Sequence, residues 1–169
     1  MRCEKLAGEV SIEAAYIITP MQVFEFVAIL TATLFSGAAI YVNLVEHPAR
    51  VECGTGLAAT VFGPSYRRGA VMQSILALAA TIAGIGAWFM GARLAWLLGA
   101  SLIFLVVPFT LIAIRPTNKG LLDSALDRTS EEASRLLQQW GKLHAVRSIL
   151  ALAASAIFVA LALSSSPKP

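Results

Sequence analysis

The sequence predicts an all-α fold, a four-helix transmembrane bundle of two helical hairpins with a short amphipathic extension before the fourth span. Three observations carry that prediction. The chain is 57% hydrophobic and only 14% charged, against roughly 25% charged in soluble domains. Its apolar residues come in long uninterrupted blocks, where a soluble helix shows a one-sided stripe. There are four such blocks, separated by short polar stretches. A soluble helical bundle is the alternative, but its helices would have no polar face. The formal net charge of +3 comes without a basic cluster interleaved with aromatics, which leaves nucleic-acid binding unsupported.

Residues 1–20 contain Glu4, Glu9 and Glu13 and do not suit the basic start of a signal peptide. They are expected to be a weakly ordered extension, with Met1 or Met21 as the start. Residues 21–163 form the membrane domain. Span one covers about 21–45, and from Phe26 to Val45 it carries no charge. At about 1.5 Å per residue that stretch crosses the roughly 30 Å hydrocarbon core. Thr33 with Gly37, and Ala32 with Ser36, offer small residues for close helix packing. Pro48 is expected to bend or end the helix. Residues 51–68 read as a connection, with turns at Gly54, Gly56, Gly63 and Pro64 and a short interfacial helix at 57–62.

Span two (about 69–91) is rich in Ala and Gly, with Gln73 one turn in. Gly91-Ala92-Arg93 leaves only a tight turn to span three (about 94–114), which Pro108 should kink. Thr129-Ser130-Glu131-Glu132 reads as a capping box with Thr129 as N-cap. The helix that follows has Ala133, Leu136, Leu137, Trp140, Leu143, His144 and Arg147 along one face, and runs into span four (about 143–163) past a potential bend at Gly141. Residues 164–169 form a flexible tail. Cys3 and Cys53 flank the first block and read as free thiols.

Four spans put both termini on one side. The opposite side carries Arg50, Arg67, Arg68, Arg115, Lys119, Arg128, Arg135, Lys142 and Arg147, against Arg2, Lys5, Arg93 and Lys168 on the terminal side. The positive-inside rule then sets the loop side in the cytoplasm.

Topology gathers the chemistry-bearing residues at that side. Asn43, Glu46, His47 and Arg50 fall at i, i+3, i+4 and i+7 of span one, and Trp140, His144 and Arg147 are spaced similarly on span four. Tyr66 and Asn118 join them. Ionisable groups at membrane depth are costly and tend to be paired and functional. The dull alternatives are headgroup charges, interface-belt aromatics and polar glue between helices.

As a site, the cluster admits three chemistries. His47 or His144 serves as a general base, with Glu46 assisting and Arg50, Arg147 and Asn43 orienting an anion. Alternatively His47, His144 and Glu46 bind a metal, or the two histidines ligate a haem. Tyr66, Asn118 and Trp140 complete the predicted substrate-binding set. The non-catalytic reading is a membrane scaffold or transport subunit.

The stretch from Leu34 to Arg50 (LFSGAAIYVNLVEHPAR) resembles the first span of the anthrone-oxygenase-like membrane proteins, long catalogued as a domain of unknown function. Pro64 to Arg68, Pro116 to Lys119 and Trp140 to Ser148 (WGKLHAVRS) resemble its later motifs, and the likeness covers roughly residues 22–163. The resemblance implies a four-helix membrane protein. It also implies oxidation of anthrones or related hydrophobic phenolic molecules by molecular oxygen, without a bound cofactor.

Overall fold

The structure is a computed structural model that describes residues 18–164. The expected extension up to residue 17, Cys3, and the tail beyond residue 164 lie outside the described residues. Within them are four helices, each long and apolar enough to cross a membrane: α1 (Pro20–Glu52), α2 (Thr55–Phe89), α3 (Ala95–Leu122) and α4 (Glu131–Leu163). The all-helical bundle is therefore as the sequence predicts, and the protein is a multi-pass membrane protein. Each helix packs on its two neighbours in the order 1–2–3–4–1.

The burial pattern is that of a protein in lipid. Phe26, Leu30, Ile75, Ile82, Phe89 and Ile112 all point outward. Alanines point inward: Ala28, Ala32 and Ala39 on α1, Ala77, Ala80, Ala83 and Ala87 on α2, and Ala151 and Ala154 on α4. Lipid is as apolar as leucine, so small side chains that let backbones approach are the useful interior. Phe158 fills what space is left. It stacks on Trp96 at 5.1 Å. A Cβ at Gly84 or Gly99 would come within 2.9 and 2.5 Å of its ring. Of the two small-residue pairs expected on span one, Ala32 and Ser36 are buried, and Ser36 Oγ lies 3.1 Å from Ser155 Oγ on α4. Thr33 and Gly37 instead face outward, and Thr33 returns its hydroxyl to the Ile29 carbonyl.

A second core sits at the other end of the bundle. It is built from larger residues: Phe62, Ile114, Leu121, Leu137 and Trp140, with Ala58 and Ala59. This core corrects the expected connection at 51–68. Thr55 to Phe89 is one continuous helix, with Gly63 buried and Pro64 inside it. Burial of Ala58, Ala59 and Phe62 outweighs the backbone bond that Pro64 cannot make. The actual break is at Cys53–Gly54, where Gly54 takes φ +101°. A β-carbon disfavours that conformation, as it does at Gly91 (φ +107°) in the turn before α3.

Pro48 does not end α1. The helix widens into a π turn at Val42–Glu46 and carries on to Glu52. In α3 the same device appears at Thr110–Ile114, just ahead of Pro116. In each case the proline removes the N–H that the carbonyl four residues back (Leu44 or Ile112) would have used. That carbonyl lies within the π turn.

The link from α3 to α4 is built on Asx geometry. Asp127 Oδ1 accepts from the Thr129 N–H at 2.9 Å and its hydroxyl at 2.7 Å, bonds that hold the Asp127 carboxyl below its ordinary pKa. Thr129 is thereby occupied. The N-cap is Ser130, whose Oγ accepts from the Ala133 N–H at 3.2 Å, one residue later than expected. The helix it starts runs 33 residues without a break at Gly141.

Candidate functional site

A cavity of about 210 Å³ opens between the alanine core and the larger-residue core. Phe35, Ala77 and Val106 close it on one side, and Phe62 and Trp140 on the other. Both π turns contribute to its wall, through Val42 on α1 and through Thr110 and Leu111 on α3. π turns add a residue to a helix and re-aim the side chains around it, which is one reason they recur at binding sites.

Of the predicted site residues, Arg50, Tyr66, Trp140, His144 and Arg147 line this cavity. Asn43, Glu46, His47 and Asn118 are not in its wall. The four polar residues of span one therefore do not converge on one point. Glu46 and Arg50 pair with each other, and Arg50 also donates to Ser65 Oγ on α2 at 2.8 Å. Asn43 and His47 turn toward α4 instead.

Asn43 is fully engaged there. Its Nδ2 donates to the Gly141 carbonyl at 3.0 Å. Its Oδ1 then faces His144 Nδ1 at 2.7 Å and accepts from Ser148 Oγ at 2.6 Å. With an amide oxygen opposite it, Nδ1 of His144 must carry the proton. In the neutral imidazole this leaves Nε2 as an unprotonated acceptor. His144 is 3% exposed, lines the cavity and stacks on Trp140 at 4.6 Å.

His47 supports the same indole from α1, with ring centroids 5.1 Å apart. Gly141 makes room for it, since a Cβ there would lie 2.8 Å from His47 Nε2. The glycine that reads as a bend is a clearance. Trp140 also meets Phe62 edge-on at 5.4 Å, and Phe62 stacks on Tyr66 at 5.7 Å. The site thus has an aromatic wall of Phe62, Tyr66 and Trp140 from α2 and α4, backed from α1 by His47.

Arg147 lies one turn beyond His144. One guanidinium nitrogen donates to Gln73 Oε1 at 2.5 Å, and Cζ sits 5.2 Å from the Phe35 ring centroid. Its Nε is buried without a hydrogen-bond partner. Arg147 makes no ion pair among the described residues, so no carboxylate there neutralises it. Gln73, buried on α2, was missed as a site residue in the sequence. The available signal was an amide inside an Ala-rich span, where polar side chains are rare.

Asn118 is buried among the described residues with Oδ1 unpartnered, outside the cavity wall. No three His, Cys, Asp or Glu side chains gather as a metal site among the described residues, so His47, His144 and Glu46 do not form the triad considered above.

A family model for anthrone oxygenase matches residues 62–157, from the aromatic wall on α2 to the far part of α4. The chain belongs to the anthrone oxygenase family. The resemblance read from the sequence is borne out, although the match leaves out the Asn43–Arg50 stretch that resembles the family's first span. A curated relative, anthrone oxygenase tpcL of Aspergillus fumigatus, is 27% identical over 140 residues, covering 77% of this chain and 87% of the relative. No solved structure matches the chain. Within the family match fall Tyr66, Gln73, Asn118, Trp140, His144 and Arg147. This member of the anthrone oxygenase family thus carries its cavity's aromatic wall and its unpaired guanidinium in the matched part.

Proposed function

We propose that the protein is an oxygen-dependent oxidase of an anthrone-like or phenolic small molecule, with His144 as base and Arg147 as the anion-stabilising group. The observation that carries this is Arg147. A guanidinium held at a cavity wall by Gln73 and Phe35, with no carboxylate beside it, is a receptor for negative charge that develops on a bound molecule. A cavity of about 210 Å³ has room for a ring system, since an apolar cavity of ~150 Å³ already takes benzene.

The chemistry follows from that pairing. An anthrone has a CH₂ between two aryl rings, conjugated through them to a ketone. His144 Nε2 takes one proton from that carbon, and the electron pair delocalises onto the ketone oxygen as a phenolate-like anion beside Arg147. His144 and Arg147 are about 4.5 Å apart along the helix axis, so base and cation address different ends of one planar molecule. The electron-rich carbon then reduces molecular oxygen, forming a C–O bond. The resulting peroxide takes the proton back from His144. Loss of the second C–H proton with cleavage of the O–O bond gives the new C=O and one water. Four electrons leave in two C–H bonds and four enter one O₂, so neither a flavin nor a metal is required. Asn43 positions the base by fixing its tautomer, and His47 positions Trp140. The Lys and Arg distribution supports a site on the cytoplasmic side.

The test is anthrone turnover by the purified protein, followed as oxygen uptake and quinone absorbance. His144→Gln should leave only the detergent-blank rate. Turnover equal to wild type in both His144→Gln and Arg147→Met would remove this assignment.

A second reading has its own support. Asn43 ties α1 to α4 through Gly141, His144 and Ser148, which is what a non-catalytic helix lock would do. It predicts that no aromatic ligand raises the thermal stability of the purified protein.

A further inference from the structure

Two cavity-lining residues also reach the outer surface of the bundle. Leu111 on α3 is 57% exposed, and Ser74 on α2 is exposed as well. The helices that carry them are neighbours. Gly69 and Ala70, small residues a turn above Ser74, thin the same wall. The cavity therefore has a mouth in the groove between α2 and α3.

The depth of that mouth decides what it opens to. Ser74 lies six residues past the exposed Arg68, about 9 Å along the helix. Leu111 lies four residues before the exposed Arg115, about 6 Å along α3. Those arginines belong at the headgroup level, so the mouth is beneath it. Its rim agrees: Val71, Ile75 and Ile112 are 63%, 63% and 77% exposed, and all are hydrocarbon. No soluble molecule approaches through such a surface. An aromatic amphiphile does, because it rests in the upper hydrocarbon layer with its polar atom toward the headgroups.

We propose that the site takes its substrate sideways from the bilayer, through the α2–α3 mouth framed by Ser74 and Leu111. The substrate class is a fused-ring aromatic with one ionisable hydroxyl or enolisable ketone, which travels inward to Arg147 and Gln73 while the rings lie against Phe35, Val106 and Val107. This rests on the anion-binding cavity assigned above and adds its source and route. The membrane is then the reservoir, and Ser74 and Leu111 control passage without holding the bound molecule.

The experiment uses the full chain in lipid nanodiscs and 1-naphthol as the probe, with empty nanodiscs as blank. Association and dissociation are followed by stopped-flow fluorescence of the naphthol. Ser74→Trp and Leu111→Trp each narrow the mouth from a different helix. Each is expected to slow both association and dissociation at least tenfold, because a gate hinders entry and exit alike; slowing of one rate alone would overturn the route. Leu78→Trp, lipid-facing and outside the cavity wall, should change neither rate. Unaltered rates in both mouth variants would overturn the lateral route. Loss of affinity with association unchanged would overturn it too, by making the mouth a binding subsite. Failure of the wild-type protein to bind 1-naphthol above the blank would instead remove the anion-binding cavity itself, and the route with it.

Discussion

The two halves of this bundle are built from the same four helices and do opposite things. In the alanine half, small residues recur at every turn of α1, α2 and α4, and Phe158 seats against Gly84 and Gly99. In the other half the inward residues are Phe62, Trp140, Tyr66 and Arg147, and two π turns interrupt α1 and α3. The first half closes and the second stays open. Stability of a membrane bundle comes from close packing, whereas a site needs volume and polar groups that packing would exclude. Here the two demands are separated along the helix axes, so changes in one half should leave the property of the other half standing.

Arg147→Met is the sharpest way to break that separation. It removes the charge on which the proposed chemistry depends, and anthrone turnover should fall at least 100-fold, about 3 kcal/mol of transition-state stabilisation. Stability in detergent should hold or rise, since a guanidinium without a counter-charge is replaced by an apolar chain of similar length. A melting temperature that collapses together with turnover would mean that Arg147 is part of the scaffold.

Gly99→Val is the converse change, made in the closed half. Its Cβ would lie 2.5 Å from the Phe158 ring, with Gly84 and Trp96 leaving that ring little room to retreat. Overpacking of this kind costs about 1–3 kcal/mol. Thermal unfolding in detergent should show the loss, while molecules still folded at assay temperature keep wild-type turnover per active site. A folded but inactive variant would show that the two halves are coupled.

How much of this contrast was legible in the sequence differs between the halves. The closed half was largely readable. Uninterrupted apolar blocks gave four spans, and the Ala32/Ser36 face was found, because in lipid a small residue can signal packing by itself. Thr33 and Gly37 show the limit, for the same residue types also occur on a lipid-facing side when the hydroxyl bonds its own helix. The open half was only partly readable. Helical spacing grouped Asn43, Glu46, His47 and Arg50, but a π turn through Val42–Glu46 breaks that spacing and sends two of them to α4. Gly63-Pro64 looks like a turn in any local window, and only the long-range contact of Phe62 with Trp140 shows why the helix persists. Thr129 and Ser130 are equivalent as caps by type, and Asp127 decided between them.

Asn43→Ala probes the polar network where the halves meet. It leaves His144 Nδ1–H, the Ser148 hydroxyl and the Gly141 carbonyl each without the partner it has now. Leaving one buried polar group unsatisfied costs about 1–3 kcal/mol. Ser148 can turn to the His144 carbonyl at 3.0 Å, and so recovers part of it. A net loss near the low end of that range is expected in melting experiments. The imidazole is also freed to change tautomer, so turnover should fall more than tenfold at unchanged KM. Equal effects on kcat and KM would place Asn43 in contact with substrate, as its position in the sequence suggested, and would displace the positioning role.

Ser36→Ala is the smallest change and the control for the one before. It cuts a separate polar tie between α1 and α4, the 3.1 Å contact with Ser155 in the closed half. Both hydroxyls have a second outlet on their own helices, Ser36 to the Thr33 carbonyl and Ser155 to Ala151, so nothing is stranded by the substitution. Interhelical hydrogen bonds in membranes average about 0.6 kcal/mol, and the methyl of alanine fits a surface already lined with alanines. The expected shift in melting temperature is therefore at the edge of detection, with turnover unchanged. If Ser36→Ala cost as much as Asn43→Ala, both would be helix locks of one kind, and the Asn43 network would lose its claim to serve His144 in particular. A clear difference, in stability and still more in kcat, assigns the Asn43 network to the open half and its chemistry.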